Sequence, residues 1–422
     1  NDGSIAAMAS YPTFDNRWFT AGVWGDKFQQ LFPDTGDPDD SILVNRAVQG
    51  QYNLGSTFKS FVAYAGLATG LINPGYYYDD EGVYRVRSIE DDVCASGVRC
   101  EFRNSTCPDG RPCVYGNVNA YWSLAVSSDT FYYRLGEEFY LRDRDLMQET
   151  IRQFGFGADT GIDLPFEFDG RVPDNESKRQ LVEAGVLRAG EEPRLLVGDN
   201  IQTAIGQGLL AATPLQLAVG YGTLANGGFV YQPHVVTRVF EPGVPDAAQP
   251  GLADLSQAVL HEDLTRPNLI RQVPMDAGLR DPIVGGLRQN ITGPGINGRS
   301  TTAEELFEIG YPDTAIQIAG KTGTAQGQGN YPWNDSSVFA GFSLDPAKPY
   351  TAVAYLEKSG FGSQGAAPVV KCMFLALSDA VPLDPVVPSD PLDIENDQVA
   401  EPEVMRDTTC MDSTISLARP AD

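Results

Sequence analysis

Three strand-length apolar runs follow one another late in the chain: AIQIAGKTGTAQ (315–326), SVFAGFSL (337–344) and YTAVAYLEK (350–358). Turn-rich segments too short for a crossover helix separate them, so neighbouring strands must run antiparallel. A helix-like run, AAPVVKCMFLAL (366–377), comes next and has the apolar content to cover one face of that sheet. At the other end the chain opens on SIAAMAS, which also reads as a strand. The fold class read from this is α+β: an antiparallel sheet built from both chain ends, flanked by helices, with a mainly helical middle.

The middle supports that reading. A helix is predicted from about Ser56 to Gly70, where Phe58, Phe61, Val62 and Ala65 recur at i, i+3, i+4 and i+7, and Gly55 and Gly70 punctuate it. A helical stretch around Ala120–Val126 is broken by Ser127, Ser128 and Asp129, and a second helix runs through FYYRLGEEF. AATPLQLAVGYGTLANGG predicts a helix started by Thr213-Pro214 and stopped by Asn226-Gly227-Gly228. Residues 155–200 read as Gly-, Pro- and charge-rich loop with some helix, and 240–300 as Pro/Gly-rich without a clear pattern.

The net charge of -26 over 422 residues excludes a nucleic-acid partner, whose phosphates such a chain would repel. Residues 381–422 carry ten Asp/Glu and two Arg, so they contribute 2 - 10 = -8; with their prolines they read as a solvated tail behind a domain at 1–380. No apolar run is long enough to span a membrane, and the sequence opens without a leader, as a mature or trimmed piece would. His234 and His261 have no partner histidine at ligand spacing and read as ordinary residues. Cys94, Cys100, Cys107 and Cys113 lie in an irregular insert at 79–116, and Cys372 and Cys410 lie far downstream. An even count suggests disulfides and an oxidising compartment. A four-cysteine zinc site favours closely spaced pairs, and here the gaps are five, six and five residues. Free thiols are the third reading. The four clustered cysteines allow three pairings, with Cys372–Cys410 as the candidate third bridge.

Three short motifs carry chemistry. Ser56-Thr57-Phe58-Lys59 puts a lysine beside a serine on one helix face. Serine is a weak nucleophile until a base takes its proton, and a lysine in a partly buried, cation-rich pocket can be that base. Ser127-Ser128-Asp129 offers a proton-relaying hydroxyl and a carboxylate for Lys59 or a substrate amide; taken alone, such a triplet between two helices usually makes a helix stop and an N-cap. Lys321-Thr322-Gly323-Thr324 lies at the end of a strand-like run. There Lys321 supplies charge for a carboxylate, the threonines offer hydroxyls, and Gly323 lets a substrate backbone approach an edge strand. The backbone N–H groups of Ser56 and Thr324 make a candidate oxyanion hole.

In this order the three motifs resemble the signature shared by class A β-lactamases and penicillin-binding proteins. QGQYNLGSTFKSF, SSDTFYYRLG, TGIDLP, GDNIQTAIGQGLLAATPLQLA, AGKTGTAQ and FAGF resemble class B penicillin-binding proteins, from about residue 5 to about residue 380. Asp129, the TFYYRLG after it and KTGTAQ resemble the elongation-type branch, the penicillin-binding protein 2 group, whereas division-type relatives usually carry Asn at that position. The resemblance implies the penicillin-binding, β-lactamase-like fold and a peptidoglycan D,D-transpeptidase that β-lactams acylate. Ser56 would be the nucleophile and Lys59 its base. Ser127 would help protonate the leaving group, and Asp129 would orient Lys59 or the substrate. Lys321 and Thr322 would hold the substrate carboxylate beside Gly323, with Ser56 and Thr324 binding the oxyanion. The implied partners are a stem pentapeptide ending in D-Ala-D-Ala, a stem-peptide amine and a membrane-embedded glycosyltransferase. The implied place is the outer face of the bacterial membrane, held by an N-terminal anchor, with no metal or cofactor. The family core has no counterpart for the cysteine insert or the acidic tail, and neither is expected to alter the catalytic motifs.

The rivals are a division-type enzyme, a D,D-carboxypeptidase or β-lactamase, and a β-lactam sensor that acylates without turnover. Gly360, Gly362 and Gly365 form G-x-G-x-x-G, yet PLDPVVPSDP follows where a dinucleotide fold needs a further strand, so a strand-to-helix turn is predicted there.

Overall fold

The computed structural model describes residues 2–20, 23, 25–34, 41–188, 190–241, 258–297, 299, 301, 303, 306–307, 311–327, 335–378 and Cys410. Apart from Cys410, the acidic tail therefore lies outside the described residues.

Two short helices, α1 (Asp26–Leu31) and α2 (Arg46–Gln49), precede a 3-10 turn at Gly55–Phe58 that runs straight into α3 (Lys59–Ala68). The insert holds β1 (Tyr78–Asp80), β2 (Val83–Arg85), α4 (Asp91–Ala95), β3 (Glu101–Arg103) and β4 (Gly116–Val118). The helical middle is α5 (Ala120–Ala125), α6 (Asp129–Arg142), α7 (Leu146–Arg152), α8 (Asn175–Glu183), α9 (Val197–Ala204) and α10 (Pro214–Ala225). Next come β5 (Phe229–Tyr231), β6 (Arg238–Phe240), β7 (Leu260–Asp263) and β8 (Leu269–Gln272), then α11 (Ala277–Thr292). After these lie β9 (Ile318–Ala325), β10 (Ser336–Ser343), β11 (Thr351–Leu356) and α12 (Ala366–Leu377).

The three late strands form one antiparallel sheet in the order β11-β10-β9, with Lys321 opposite Ala340 and Gly323 opposite Val338. Alternate residues serve opposite faces, as the strand period demands. Ile318 and Phe339 pack on Ala366, Val370 and Phe374 of α12. Ala319, Val338, Ala340 and Phe342 belong to the larger core with Tyr221 of α10 and Leu287 of α11. Both faces are therefore covered, and β9 is left as the edge strand toward the Gly55–Phe58 turn.

Helix α3 is more central than its apolar stripe suggested. Nine of its ten residues are buried, the pattern of a helix packed all round. Phe61 meets Phe154, Phe156 and Tyr221 edge-on. The Tyr221 hydroxyl lies 3.1 Å from Ser60 Oγ and donates to the Thr57 carbonyl at 2.9 Å, tying α10 to α3.

Two expectations change. The sheet comes from the late strands alone. SIAAMAS forms no strand, only a parallel bridge between Ser4 and His234, with Ile5 N–H donating to the His234 carbonyl at 2.9 Å. Its only large apolar residues, Ile5 and Met8, pack on a small cluster of Val48, Ile162 and Leu215, so the run has too little to bury for a place in the sheet. The insert is also ordered rather than irregular: β1 pairs with β4 and β2 with β3, both antiparallel. Its cysteines pair locally as Cys94–Cys100 and Cys107–Cys113, and Cys372 pairs with Cys410. The region around 240–300 that lacked a clear pattern holds, among its described residues, β7 and β8, which pair back onto β6 and β5, and α11. Gly360, Gly362 and Gly365 form the turn between β11 and α12, where a Cβ on Gly362 would stand 2.4 Å from the Gly323 carbonyl oxygen.

Candidate active site

Ser56 sits in the 3-10 turn just ahead of α3, half-buried. The turn is held from below, where Leu54 N–H and Gly55 N–H both donate to the Gly206 carbonyl, at 3.1 and 2.9 Å. Gly55 has φ +52, and a Cβ there would stand 2.4 Å from Thr324 O and 2.9 Å from Thr324 N. Only a glycine lets the Ser56 turn approach the β9 edge this closely, and that approach brings the Ser56 and Thr324 segments together.

One helical turn on, Lys59 is fully buried. Its Nζ donates to the Ser127 carbonyl at 2.8 Å, to Ser127 Oγ at 3.2 Å and to Asp129 Oδ1 at 2.6 Å. The ammonium also stands over the Tyr132 ring, 5.5 Å from its centre. Burial pushes Lys59 below the usual lysine value, while Asp129 and, more weakly, Asp80 pull it back up. It is a cation whose charge is disfavoured by its surroundings and which already touches a hydroxyl able to pass on a proton.

Ser127 lies between α5 and α6 with φ +60, a left-handed conformation uncommon for a residue with a side chain. The next residue is the cap: Ser128 Oγ accepts from Phe131 N–H at 3.2 Å. Capping and the contact with Lys59 are thus divided between neighbours in the same three-residue motif.

The third motif lies on β9. Lys321 is fully buried and donates to the Thr322 carbonyl at 3.1 Å and to Thr322 Oγ1 at 3.4 Å. Burial, then the nearby Lys59 charge, hold Lys321 well below the ordinary lysine range, with Asp129 opposing. A Cβ on Gly323 would stand 2.7 Å from the Leu54 carbonyl oxygen, so strand and turn are in contact here too. Thr324 is half-buried; its Oγ1 accepts from Gly362 N–H at 3.3 Å, and its carbonyl accepts from Gln207 Nε2 at 2.8 Å. All eight residues singled out in the three motifs therefore gather where the start of α3, the α5–α6 turn and the β9 edge meet.

Sequence reasoning missed four residues at this junction. Gly206 and Gln207 tie the Ser56 turn and the end of β9 together; their stretch, AIGQGLL, carried the family resemblance but no assigned chemistry. Asp80 and Asn104 come from the insert and bond to Ser128 and Asp129. Nothing local in the sequence marks them. Among the described residues, no group of three or more His, Cys, Asp or Glu is placed to hold a metal, and no helix is long and apolar enough to cross a membrane.

Comparison with known proteins agrees with the geometry. The model of the penicillin binding protein transpeptidase domain matches residues 1–374. The peptidoglycan D,D-transpeptidase MrdA of Acinetobacter baumannii is 31% identical over 388 residues, covering 88% of this chain and 48% of that protein. The chain thus spans about half the length of the curated relatives it matches. Among solved structures, Pseudomonas aeruginosa PBP2 in complex with WCK 5153 superposes with a TM-score of 0.62 at 27% identity, over 87% of this chain and 69% of that one. A chain of a peptidoglycan synthase complex gives a TM-score of 0.66 at 26% identity, over 90% of this chain and 55% of that one. With three motifs converging on one junction and a family model covering most of its length, this chain belongs to the penicillin-binding protein transpeptidase family.

Proposed function

We propose that this chain is an elongation-type D,D-transpeptidase that cross-links peptidoglycan stem peptides through a serine ester. The observation that carries the reading is Lys59: fully buried, one turn from Ser56, with its Nζ on both Ser127 and Asp129. Lys59 takes the Ser56 proton as Oγ attacks the penultimate D-Ala carbonyl. The Ser56 and Thr324 N–H groups receive the oxyanion. Ser127 passes a proton to the departing nitrogen, the C–N bond breaks and D-Ala leaves. An amine from a neighbouring stem then attacks the ester, a new C–N bond forms, and the proton returns to Ser56. Lys321 and Thr322 hold the terminal carboxylate, and Gly323 lets β9 lie against the Ser56 turn so that carboxylate site and nucleophile stand side by side. The reaction balances without metal or cofactor.

On this reading residues 1–380 are the catalytic domain, 79–116 an insert and 381–422 an appended tail. The enzyme works on the outer face of the membrane beside a glycosyltransferase, with an anchor N-terminal to residue 1. Three disulfides suit that oxidising side.

Intact mass with a labelled penicillin tests the nucleophile. One adduct per chain on Ser56 is expected, absent in Ser56→Ala; label on another residue defeats the assignment. Incubation with a pentapeptide-bearing glycan should give cross-linked dimer. Trimmed tetrapeptide alone, hydrolysed drug alone or an inert adduct would point instead to a carboxypeptidase, a β-lactamase or a sensor.

A further inference from the structure

The cysteine insert reaches the catalytic junction. Asn104, 5% exposed, follows β3, and Asp80, fully buried, ends β1. Asn104 Oδ1 accepts from Asp129 N–H at 2.8 Å and Thr130 N–H at 3.0 Å, the first two amides of α6. Helix-start amides have no partner within the helix, and here the Asn104 side chain supplies one. Asn104 Nδ2 donates to the Asp80 carboxylate, at 2.8 Å to Oδ1 and 3.0 Å to Oδ2, and to the Cys113 carbonyl at 2.8 Å. Asp80 also accepts from Gly82 N–H at 2.8 Å and from Ser128 Oγ. The insert thereby grips the three residues that follow Ser127.

We propose that Asn104 and Asp80 are positioning residues that hold the Ser127–Asp129 turn in the shape acylation requires. The inference rests on the reading of Lys59 and Ser127 given above. Ser127 at φ +60 does not hold that conformation by its own preference; such residues persist where their surroundings over-determine them. Here those surroundings are the two residues that follow Ser127, with Ser128 bonded to Asp80 and the Asp129 amide bonded to Asn104, and, ahead of it, the Ala125 carbonyl accepting from Asn290 Nδ2 at 2.7 Å. The path continues to Lys59 through the Asp129 carboxylate. Cys113, whose carbonyl is the third acceptor of Asn104, is clamped by its disulfide to Cys107, so the grip has a covalent brace.

Asp80 adds a charge as well as a shape. The charged and titratable groups around Lys59 are Asp129 of α6, Asp80 of β1 and Lys321 of β9, with the Tyr132 ring beneath. Tyr115 lies within the field of both Asp80 and Asp129. Removing the Asp80 charge leaves less to keep Lys59 protonated, an effect that a purely structural support would not have.

The test uses the folded chain, a labelled penicillin and acylation rates taken to saturation across pH. Asp80→Asn should move the acid limb of the rate to lower pH, because a negative charge that holds the Lys59 proton is removed. Asn104→Ala should slow the saturated rate by about 10- to 100-fold, with saturable drug binding changed less than about threefold. If Asn104→Ala does not fold, the Asp80→Asn profile decides. An unmoved limb in folded Asp80→Asn overturns the proposal, and so does a parental rate in folded Asn104→Ala. Label at Ser56 in the parent, with acylation unchanged in both variants, refutes only the positioning role. Label away from Ser56 refutes the underlying reading.

Discussion

Gly206→Ala should push the Ser56 turn about 1 Å out of place and slow acylation about a hundredfold. Gly206 has φ +74, and a Cβ there would stand 2.2 Å from the Gly55 carbonyl oxygen, whereas ordinary contact begins at 3.4 Å. The deficit is 3.4 - 2.2 = 1.2 Å. It falls on backbone, which cannot swing aside as a side-chain tip can. The left-handed conformation costs an alanine about 1–2 kcal/mol. The two hydrogen bonds from Leu54 and Gly55 to the Gly206 carbonyl are each worth about 0.5–1.5 kcal/mol. A loss of about 2–5 kcal/mol in stability follows from those terms, and a displacement near 1 Å at a reacting group costs about 10²-fold in rate. Gly208→Ala is the control. Gly208 has φ +71, and its Cβ would meet Gln202 Cβ at 2.9 Å, a clash that involves neither Gly55 nor the Ser56 turn. It should lose at least about 1–2 kcal/mol from the left-handed conformation and, when folded, acylate within about threefold of the parent. Circular-dichroism melting gives the stability, and growth of the penicilloyl mass gives the rate. Folded Gly206→Ala acylating as fast as Gly208→Ala would refute the argument.

Four further outcomes are expected. Lys59→Ala should slow acylation by about 10²–10⁴-fold, and Lys59→Arg should not restore it, because arginine keeps its proton; a labelled-penicillin time course within threefold of the parent contradicts this. Since burial holds Lys59 below the usual 10.5 and its neutral form is the base, acylation should rise with pH along a limb centred below 10.5 and fall as pH drops through it; a limb at or above 10.5 removes Lys59 from the role. A substrate carboxylate beside Lys321 should oppose the burial that disfavours its charge, so binding should draw protons from solution over the pH range in which Lys321 titrates; calorimetry in buffers of different ionisation heat across pH detects this, and a buffer-independent heat throughout rejects it. Non-reducing peptide mapping should recover Cys94–Cys100, Cys107–Cys113 and Cys372–Cys410, and any crossed pair contradicts the fold of the insert.

What the sequence revealed follows how local each signal is. The β9–β10–β11 sheet and α12 were legible because strand alternation and short connections are written within forty residues. The start of α3 was legible because Gly55 and the apolar spacing mark it. Helix α11 was not, because the glycines that suggested loop serve close packing: a Cβ on Gly286 would stand 2.5 Å from the Tyr121 carbonyl oxygen of α5. The three motifs could be named from their residue types, but not their supports. Asn104 lies 25 residues from Asp129 in the chain, and Gln207 lies 117 residues from Thr324. Nothing nearby in sequence announces either bond. The insert, read as irrelevant to the motifs, is in contact with one of them for the same reason.

The bond between Cys372 and Cys410 closes a span of 38 residues onto α12. A protease that nicks the backbone anywhere from 373 to 409 would therefore release no fragment until a reductant is added. Trimming the gene at residue 380 to remove the acidic stretch would do something different. It would delete Cys410 and leave Cys372 as an unpaired thiol beside Ala315 and Leu375, so a shortened chain should be made with Cys372→Ser or extended past residue 410.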